Sequence, residues 1–543
     1  MSFNWIDKDR DLHRRDLARA YGHARRQKAK EEGDPVSFVR TGTTHAMPAT
    51  EEVTVEGKVC KVRKLGNVIA GKAVFARTGQ GVILDRDPAT NDVIATVPRS
   101  GKADIDAAVE AARRAQPAWA ATPLAERCAI LAKAADLIES RLMDLAKLES
   151  LDTGKPIRLS SSLDIPRAVS NFRFFADFAL KEKTERHAME GHDNYTVRAP
   201  VGVVGLITPW NLPIYLLSWK VAPALAMGNA VVAKPSELTP LTADALAWTL
   251  KEAGLPDGVF NVVHGHGAEA GQALVEHPVV RAISFTGGTL SGRKVAAAAA
   301  PHLKKVSLEL GGKNPTIVFA DCDMDSTVEG VVRSAFLNTG QICLCGSRIL
   351  VESSIEAEFT ARLVARAILM RTGDPLDPQT ELGSLISAEH LAKVEGYLDL
   401  ARNEEGTVLC GGKRPKLDGK QSSGAFLEPT VISGLGQSSR CVQEEIFGPV
   451  ATIQPFRDEA EAVALANGVK YGLAASVWSK DAKKATRVAE ALESGMVWVN
   501  CWLVRDLRVP FGGMKESGVG REGGKHSLDF FSEPRNICMK RPD

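Results

Sequence analysis

Two cysteines stand two apart in "NTGQICLCGSR", residues 338–348, in a chain of 543 residues with nine cysteines in all. A thiolate is a strong nucleophile toward a carbonyl carbon, so Cys343 or Cys345 can carry acyl chemistry. The same spacing is open to other readings. A C-x-C metal clip needs two more ligands, and no His or Cys clusters beside it in the sequence. A disulfide between residues so close would be strained. A buried structural thiol stays open for each cysteine, since free cysteine packs as a small apolar residue.

The other chemically able residues follow short apolar runs. Thr208 ends "VVGLIT" and Pro209-Trp210-Asn211 comes next; Lys234-Pro235-Ser236-Glu237 follows "AVVA". Thr286-Gly287-Gly288 follows "AISF", with Gly292 opening the next helix, and Gly311-Gly312-Lys313 follows "VSLEL", with Glu309 in the strand end. The pattern Gly287-x-x-x-x-Gly292 is neither the G-x-G-x-x-G dinucleotide fingerprint nor a P-loop, and alone it fits a structural turn as well. Lys234 and Glu237, three apart at a strand end, can grip the two hydroxyls of an adenosine ribose. A carboxylate there repels a 2′-phosphate, which favours NAD over NADP. A helix start capped by Ser236, with Glu237 in the first turn, fits the same residues.

Positioning such loops takes a particular architecture. From about residue 64, β-branched runs alternate with segments of helical spacing. "VGVVGLITP", "AVVAKPSE", "VFNVVHG" and "AISFTGG" read as strands; "SWKVAPALAMG" and "LTADALAWTLKEAG" read as helices closed by Gly228 and Gly254. Short apolar strands separated by helices imply an α/β fold with a parallel sheet covered on both faces, whose ligands sit beyond the carboxyl ends of the strands. A second α/β stretch runs from about 311 to 500. "RRDLARAYGHARRQKAKEE" is polar nearly all round, and residues 1–63 read as an exposed or disordered extension.

The bulk numbers exclude several classes. Lys+Arg is 68 against Asp+Glu 66, a net charge of +2, so no global field argues for nucleic acid or a membrane surface. "PVGVVGLITPWNLPIYLLSW" lacks charge over 200–219, but Pro209, Asn211 and Pro213 break it, and it reads as strand, turn and helix start rather than a span. Nine scattered cysteines and an acid-rich N-terminus without a secretory signal point to the cytoplasm.

Seven motifs in order, "TPWNLP", "AKPSELTP", "FTGG", "LELGGKNP", "NTGQIC", "EEIFGPV" and "PFGGMKESGVGREGG", make residues 64–543 resemble the NAD(P)-dependent aldehyde dehydrogenase family. The resemblance implies a Rossmann-like NAD-binding domain from 64–182 and 201–310 and an α/β catalytic domain from 311–527. It adds a small oligomerisation β-segment from 183–200 and 528–543, hence a homodimer or homotetramer. It makes Cys343, after Gly-Gln-x, the nucleophile and leaves Cys345 a bystander. Asn211 and the cysteine's own N–H then hold the oxyanion, and Glu309 activates water to hydrolyse the thioester. A carboxyl at an apolar strand end has a raised pKa, which suits that task. Without the family, Glu309 reads as a surface or ion-paired acid, Glu445 as a loop acid and Phe447 as a core aromatic. With it, Glu445 and Phe447 join Thr208, Trp210, Lys234, Glu237, Gly287 and Gly292 as the set that binds NAD. No metal is implied. Gly288 departs from the Ser of many relatives and predicts a looser phosphate contact.

Two stretches narrow the substrate. "SSLDIPRAVSNFRFF" offers Arg167 and Arg173, and "VNCWLVRDLRVPFGG" offers Arg505 and Arg508. Guanidinium holds a carboxylate bidentately. "DIPR", "NFRFF", "TVRAPVGV", "SELT", "ICLC", "NCWLVR" and "GREGG" resemble the subgroup that oxidises 2-amino- or 2-hydroxymuconic semialdehydes. That subgroup implies a carboxylate clamp of Arg167 and Arg505, with Asn211 also touching the 2-substituent. The competing readings are structural ion pairs for the arginines in a dehydrogenase of another small aldehyde (betaine-aldehyde-like or retinal-like), and a non-catalytic structural member of the family. Cys343, Glu309 and Asn211 together argue against the last.

Overall fold

The apolar runs become strands that leave almost nothing exposed: Val203–Ile207, Ala230–Lys234, Phe260–Val262, Val280–Thr286 and Lys305–Glu309. The computed structural model describes residues 50–55, 58–76 and 80–542. In chain order these five parallel strands stand 3-2-1-4-5, the order of dinucleotide-binding folds. The switch point lies between Val203–Ile207 and Val280–Thr286, where Gly205 registers with Ile283. Ile105, Val109, Val232, Ile283, Phe285 and Leu308 share one core beneath the sheet. Helix Pro213–Ala226 is buried along its whole length, and helix Leu241–Ala253 closes on Gly254 in the left-handed region (φ 105°). Helix Lys102–Ala121 runs through Pro117 without a break.

The second sheet has six parallel strands, Pro315–Val318, Arg348–Glu352, Thr430–Ser433, Val450–Phe456, Ala474–Trp478 and Met496–Val499, with Thr407–Cys410 antiparallel at one edge. Alternation along its strands builds two cores. Val318, Ile349 and Val351 face one way with Phe336 and Phe359, while Ile317 and Leu350 face the other with Ala462 and Val488. Helices therefore cover both faces.

Three boundaries read from the sequence shift. Residues 50–63, assigned to the extension, lie largely in strands Thr50–Val55 and Lys58–Lys64, which pair with each other and, through Lys58–Lys64, with Val93–Pro98. The rest of that extension, 1–49, lies outside the described residues. Gly518–Val519, assigned to the catalytic segment, joins the first sheet as an antiparallel edge on Lys305–Glu309. In the segment 528–543, the strand begins only at Ser532, after helix Gly524–Phe530. Arg186–Met189, His192–Pro200 and Ser532–Lys540 form a separate three-stranded antiparallel sheet. Among the described residues, no helix is long and apolar enough to cross a membrane.

Candidate active site

The turn that carries the two cysteines is built against its natural twist. Asn338, Thr339 and Gly340 are all left-handed, with φ of 53°, 55° and 71°. Such backbone costs about 1–3 kcal/mol per non-glycine residue and persists only where the surroundings impose it. At Gly340 a Cβ would lie 2.0 Å from the Gly448 carbonyl oxygen, so no side chain fits. Downstream, the Asn314 side-chain amide donates to the carbonyls of both Cys343 (2.7 Å) and Cys345 (2.9 Å) and accepts from the Ala474 N–H (3.0 Å). The cysteine loop is thus fixed from both sides.

The two thiols are not equivalent. Cys345 is buried in an apolar cluster with Ile342, Leu344 and Trp502, and burial pushes its thiol up to about 12. Cys343 stands at the margin of that cluster, half-buried. Burial pushes its thiol above the usual range, and the charges of Glu445 and Glu309 add to this, while Arg505 opposes it. The upward shift favours the thiol over the thiolate, so attack includes loss of its proton. All nine cysteines are free.

Asn211 follows the switch-point strand and donates its side-chain N–H to the Gln341 carbonyl at 2.9 Å. The Asn211 carbonyl accepts from Lys155 Nζ at 2.9 Å, a buried lysine that also bonds Asp164 at 2.9 Å.

Glu309 ends its strand with a buried carboxyl that has no hydrogen-bond partner on either oxygen among the described residues. Burial raises its pKa well above the carboxylate range and Glu522 raises it further; Lys220, Arg505 and Arg521 act against this. Lys220 Nζ bonds Glu522 at 2.6 Å and Ser284 Oγ at 2.8 Å. A buried acid with no partner is a ready proton acceptor once ionised.

The crevice at the switch point gathers the remaining residues. Lys234 Nζ pairs with Glu237 Oε2 at 2.9 Å, and His266 Nδ1 lies 3.4 Å from Glu237 Oε1. Glu237 ends below the usual carboxylate range because Lys234 and the hydrogen bonds outweigh the upward push of burial. Gly288 precedes helix Thr289–Ala299 with no side-chain cap, and a Cβ placed on it would meet nothing within 4 Å. The open helix N-terminus suits a phosphate. Gly292 has a different reason to be glycine: a Cβ there would sit 2.3 Å from Leu310. At the far end, Glu445 accepts from the Gly312 N–H at 3.0 Å, and its carboxylate fills the place of a Cβ on Gly311. The ring of Trp210 meets that of Phe447 edge-on at 5.3 Å, and the Phe447 carbonyl is fixed by His390 at 2.7 Å.

Four arginines divide into two kinds. Arg173 is exposed and spent on Asp136 (2.7 Å) and Glu139 (2.6 Å), and Arg508 is spent on Asp506 (2.9 Å). Arg505 has no acid. Among the described residues, its guanidinium stands over the rings of Phe511 (3.9 Å) and Trp219 (4.2 Å), Nη1 reaches only the Tyr215 hydroxyl at 3.5 Å, and the buried Nη2 has no acceptor. Arg167 is half-buried, 5.6 Å over the Tyr215 ring.

Residues 75–537 match the model of the aldehyde dehydrogenase family. The chain belongs to that family. It is 51% identical to the 2-aminomuconic semialdehyde dehydrogenase of Danio rerio over 89% of this chain and 99% of that one. It is 49% identical to the 2-hydroxymuconic semialdehyde dehydrogenase of Pseudomonas sp. (strain CF600), over 88% of this chain and 100% of that protein. Among solved structures, PnpE from Pseudomonas sp. WBC-3 superposes with a TM-score of 0.86 at 42% identity, covering 88% of this chain and 98% of that one. Betaine aldehyde dehydrogenase from Staphylococcus aureus in complex with NAD+ superposes with a TM-score of 0.85 at 40% identity, covering 88% and 95%.

Several contacts of this aldehyde dehydrogenase escape a reading of the sequence. Lys220 carried a signal, as the single charge in the apolar helix Pro213–Ala226. Its partner Glu522 lies 302 residues away and could not be inferred. Asn314 lies inside "LELGGKNP" beside more conspicuous residues. Tyr215 and His266 gave no signal beyond their types.

Proposed function

We propose that this aldehyde dehydrogenase oxidises a muconic semialdehyde bearing a 2-amino or 2-hydroxy group to the dicarboxylic acid, with NAD as acceptor. The observation that carries the substrate class is the Arg505 guanidinium, packed on aromatic rings with Nη2 lacking any acceptor among the described residues, 3.5 Å from the tyrosine over which Arg167 also stands. A buried cationic donor without an acceptor is costly unless a ligand completes it. A substrate carboxylate would complete it, and the aldehyde end then reaches toward Cys343. The names of the two muconic relatives agree with this class.

The residues fit NAD. Lys234 and Glu237 would hold the adenosine ribose, and Gly287, Gly288 and the N-terminus of helix Thr289–Ala299 the pyrophosphate, with Gly292 letting that helix approach Leu310. Glu445 would hold the nicotinamide ribose, with Thr208, Trp210 and Phe447 around the ring. The chemistry NAD supplies when bound is acceptance of the hydride from the substrate carbon.

Cys343 Sγ bonds to the aldehyde carbon as the thiol proton passes to solvent. The oxygen that gains charge is held by the free N–H of the Asn211 amide and the backbone N–H of Cys343. For the thioester on Cys343, Glu309 takes a proton from water, the water oxygen bonds to the acyl carbon, and the carbon–sulfur bond breaks to free the cysteine. The pair Lys220–Glu522 sets the charge around Glu309. The three-stranded sheet His192–Pro200, Arg186–Met189 and Ser532–Lys540 is the element proposed to join subunits into a dimer or tetramer in the cytoplasm. The test is product analysis with 2-hydroxymuconate semialdehyde. One NADH per dicarboxylate, identified by mass spectrometry, is expected; no dicarboxylate, with steady oxidation of neutral aldehydes, would reject the substrate class.

A further inference from the structure

Tyr215 is the third residue of helix Pro213–Ala226 and is 5% exposed, inside the apolar cluster of Leu212, Leu216, Trp502 and Phe511 that borders Cys343. Its backbone is anchored to the neighbouring helix: the Asn171 side chain donates to the Tyr215 carbonyl at 3.2 Å and to Ser218 Oγ at 3.0 Å. Asn171 lies one turn beyond Arg167 on helix Ile165–Lys181, so the same contact that fixes Tyr215 fixes the helix carrying Arg167. The Tyr215 ring lies under the Arg167 guanidinium at 5.6 Å, and its hydroxyl faces Arg505 Nη1 at 3.5 Å. Toward Arg505 that hydroxyl can only accept, because guanidinium has no acceptor. Its own proton meets no protein acceptor in the hydrogen bonds of the described residues, next to a guanidinium nitrogen in the same position. A buried hydroxyl and a buried N–H that both lack an acceptor, side by side, call for one anionic acceptor. A carboxylate has about four lone-pair sites and can take three donors at once.

We propose that Tyr215 completes the carboxylate seat: its hydroxyl donates to the substrate carboxylate beside Arg505, and its ring holds Arg167 in place. This rests on the reading of Arg505 and Arg167 as the carboxylate clamp. The phenol discriminates where charge alone cannot, because it fixes the carboxylate at the Arg505 end of the cleft and so sets the distance from that end to the aldehyde.

The experiment measures kcat and KM for wild type, Tyr215→Phe, Tyr215→Leu and Arg505→Ala, each on 2-hydroxymuconate semialdehyde and on a neutral aldehyde of similar length. Tyr215→Phe keeps the ring and loses the donor. It should raise KM for the acid about tenfold, the scale of one charge-assisted hydrogen bond, with kcat and both constants for the neutral aldehyde unchanged. Tyr215→Leu, which also frees Arg167, should lose more on the acid. Wild-type behaviour of Tyr215→Phe on the acid, with Arg505→Ala impaired, would overturn the role of Tyr215 and leave the arginine clamp standing. Equal losses on both substrates would overturn it as well, by showing a packing role. If Arg505→Ala also leaves the acid unaffected, the clamp itself fails and this inference fails with it.

Discussion

Asn211 donates its side-chain N–H to the carbonyl of Gln341, 2.9 Å away and 130 residues later in the chain. The bond ties the end of the switch-point strand to the loop that presents Cys343. It uses one of the two amide protons and leaves the other for an oxyanion. Asn211→Ala should therefore lower kcat about 10²–10³-fold, the cost of one oxyanion donor. Asn211→Asp should do worse, since a carboxylate opposes the developing charge. Steady-state kinetics with circular dichroism checks this; a loss of kcat that tracks a loss of fold would show a structural role instead.

Cys343 and Cys345 share the Asn314 clamp but differ in exposure. Cys343→Ala should abolish oxidation while NAD still binds, and Cys345→Ala should stay active. Calorimetric NAD titration and an activity assay decide; a folded, inactive Cys345→Ala enzyme beside an active Cys343→Ala one would reverse the assignment.

The Glu309 carboxyl is pushed well above the usual range by burial and by Glu522. Its base form therefore appears only as pH rises, and kcat should climb with pH through an apparent pKa above the ordinary ~4.3 of glutamate. Glu309→Gln should lose that limb and stop after one turnover, leaving an acyl group on Cys343. Rapid-mixing kinetics and intact-protein mass spectrometry would show one NADH per site and the added mass. Sustained turnover with the wild-type pH profile would remove Glu309 from the reaction.

Glu237 is held as an anion by Lys234 at 2.9 Å. It should oppose a 2′-phosphate, so the enzyme should prefer NAD to NADP, and Glu237→Gln should narrow the preference by lowering KM for NADP. Equal kcat/KM for both cofactors in the wild type would contradict the role given to Glu237.

The ligand loops were legible because each is local: an apolar strand, then glycine, proline or a polar turn, all within one stretch of chain. Glu309 ends its strand, Gly287 directly follows one, and Asn211 lies in the turn after another for that reason. Sheet edges were not legible. Gly518–Val519 pairs with Lys305–Glu309 across some two hundred residues, and no local period encodes it. The pairing of Thr50–Val55 with Lys58–Lys64 was hidden in the same way, since their charged alternation looks like an exposed arm. The arginines show the limit for a site. Residue type and position offered Arg167, Arg173, Arg505 and Arg508 alike. Only the fold reveals that Asp136 and Glu139 neutralise Arg173, while among the described residues no acid forms an ion pair with Arg505 and Glu309 acts on it only through its field.

The most direct test of the account is the ratio of kcat/KM for 2-hydroxymuconate semialdehyde to that for a neutral aldehyde of similar length, in wild type, Arg505→Ala and Arg167→Ala. A charged hydrogen bond in this cleft is worth about 1.5–3 kcal/mol, so each alanine should lower the ratio roughly ten- to a hundred-fold by loss on the acid alone. Lysine at either position should restore part of it, keeping charge without the two-pronged geometry. A ratio that stays at the wild-type value in both variants would contradict the carboxylate clamp and the muconic semialdehyde assignment built on it.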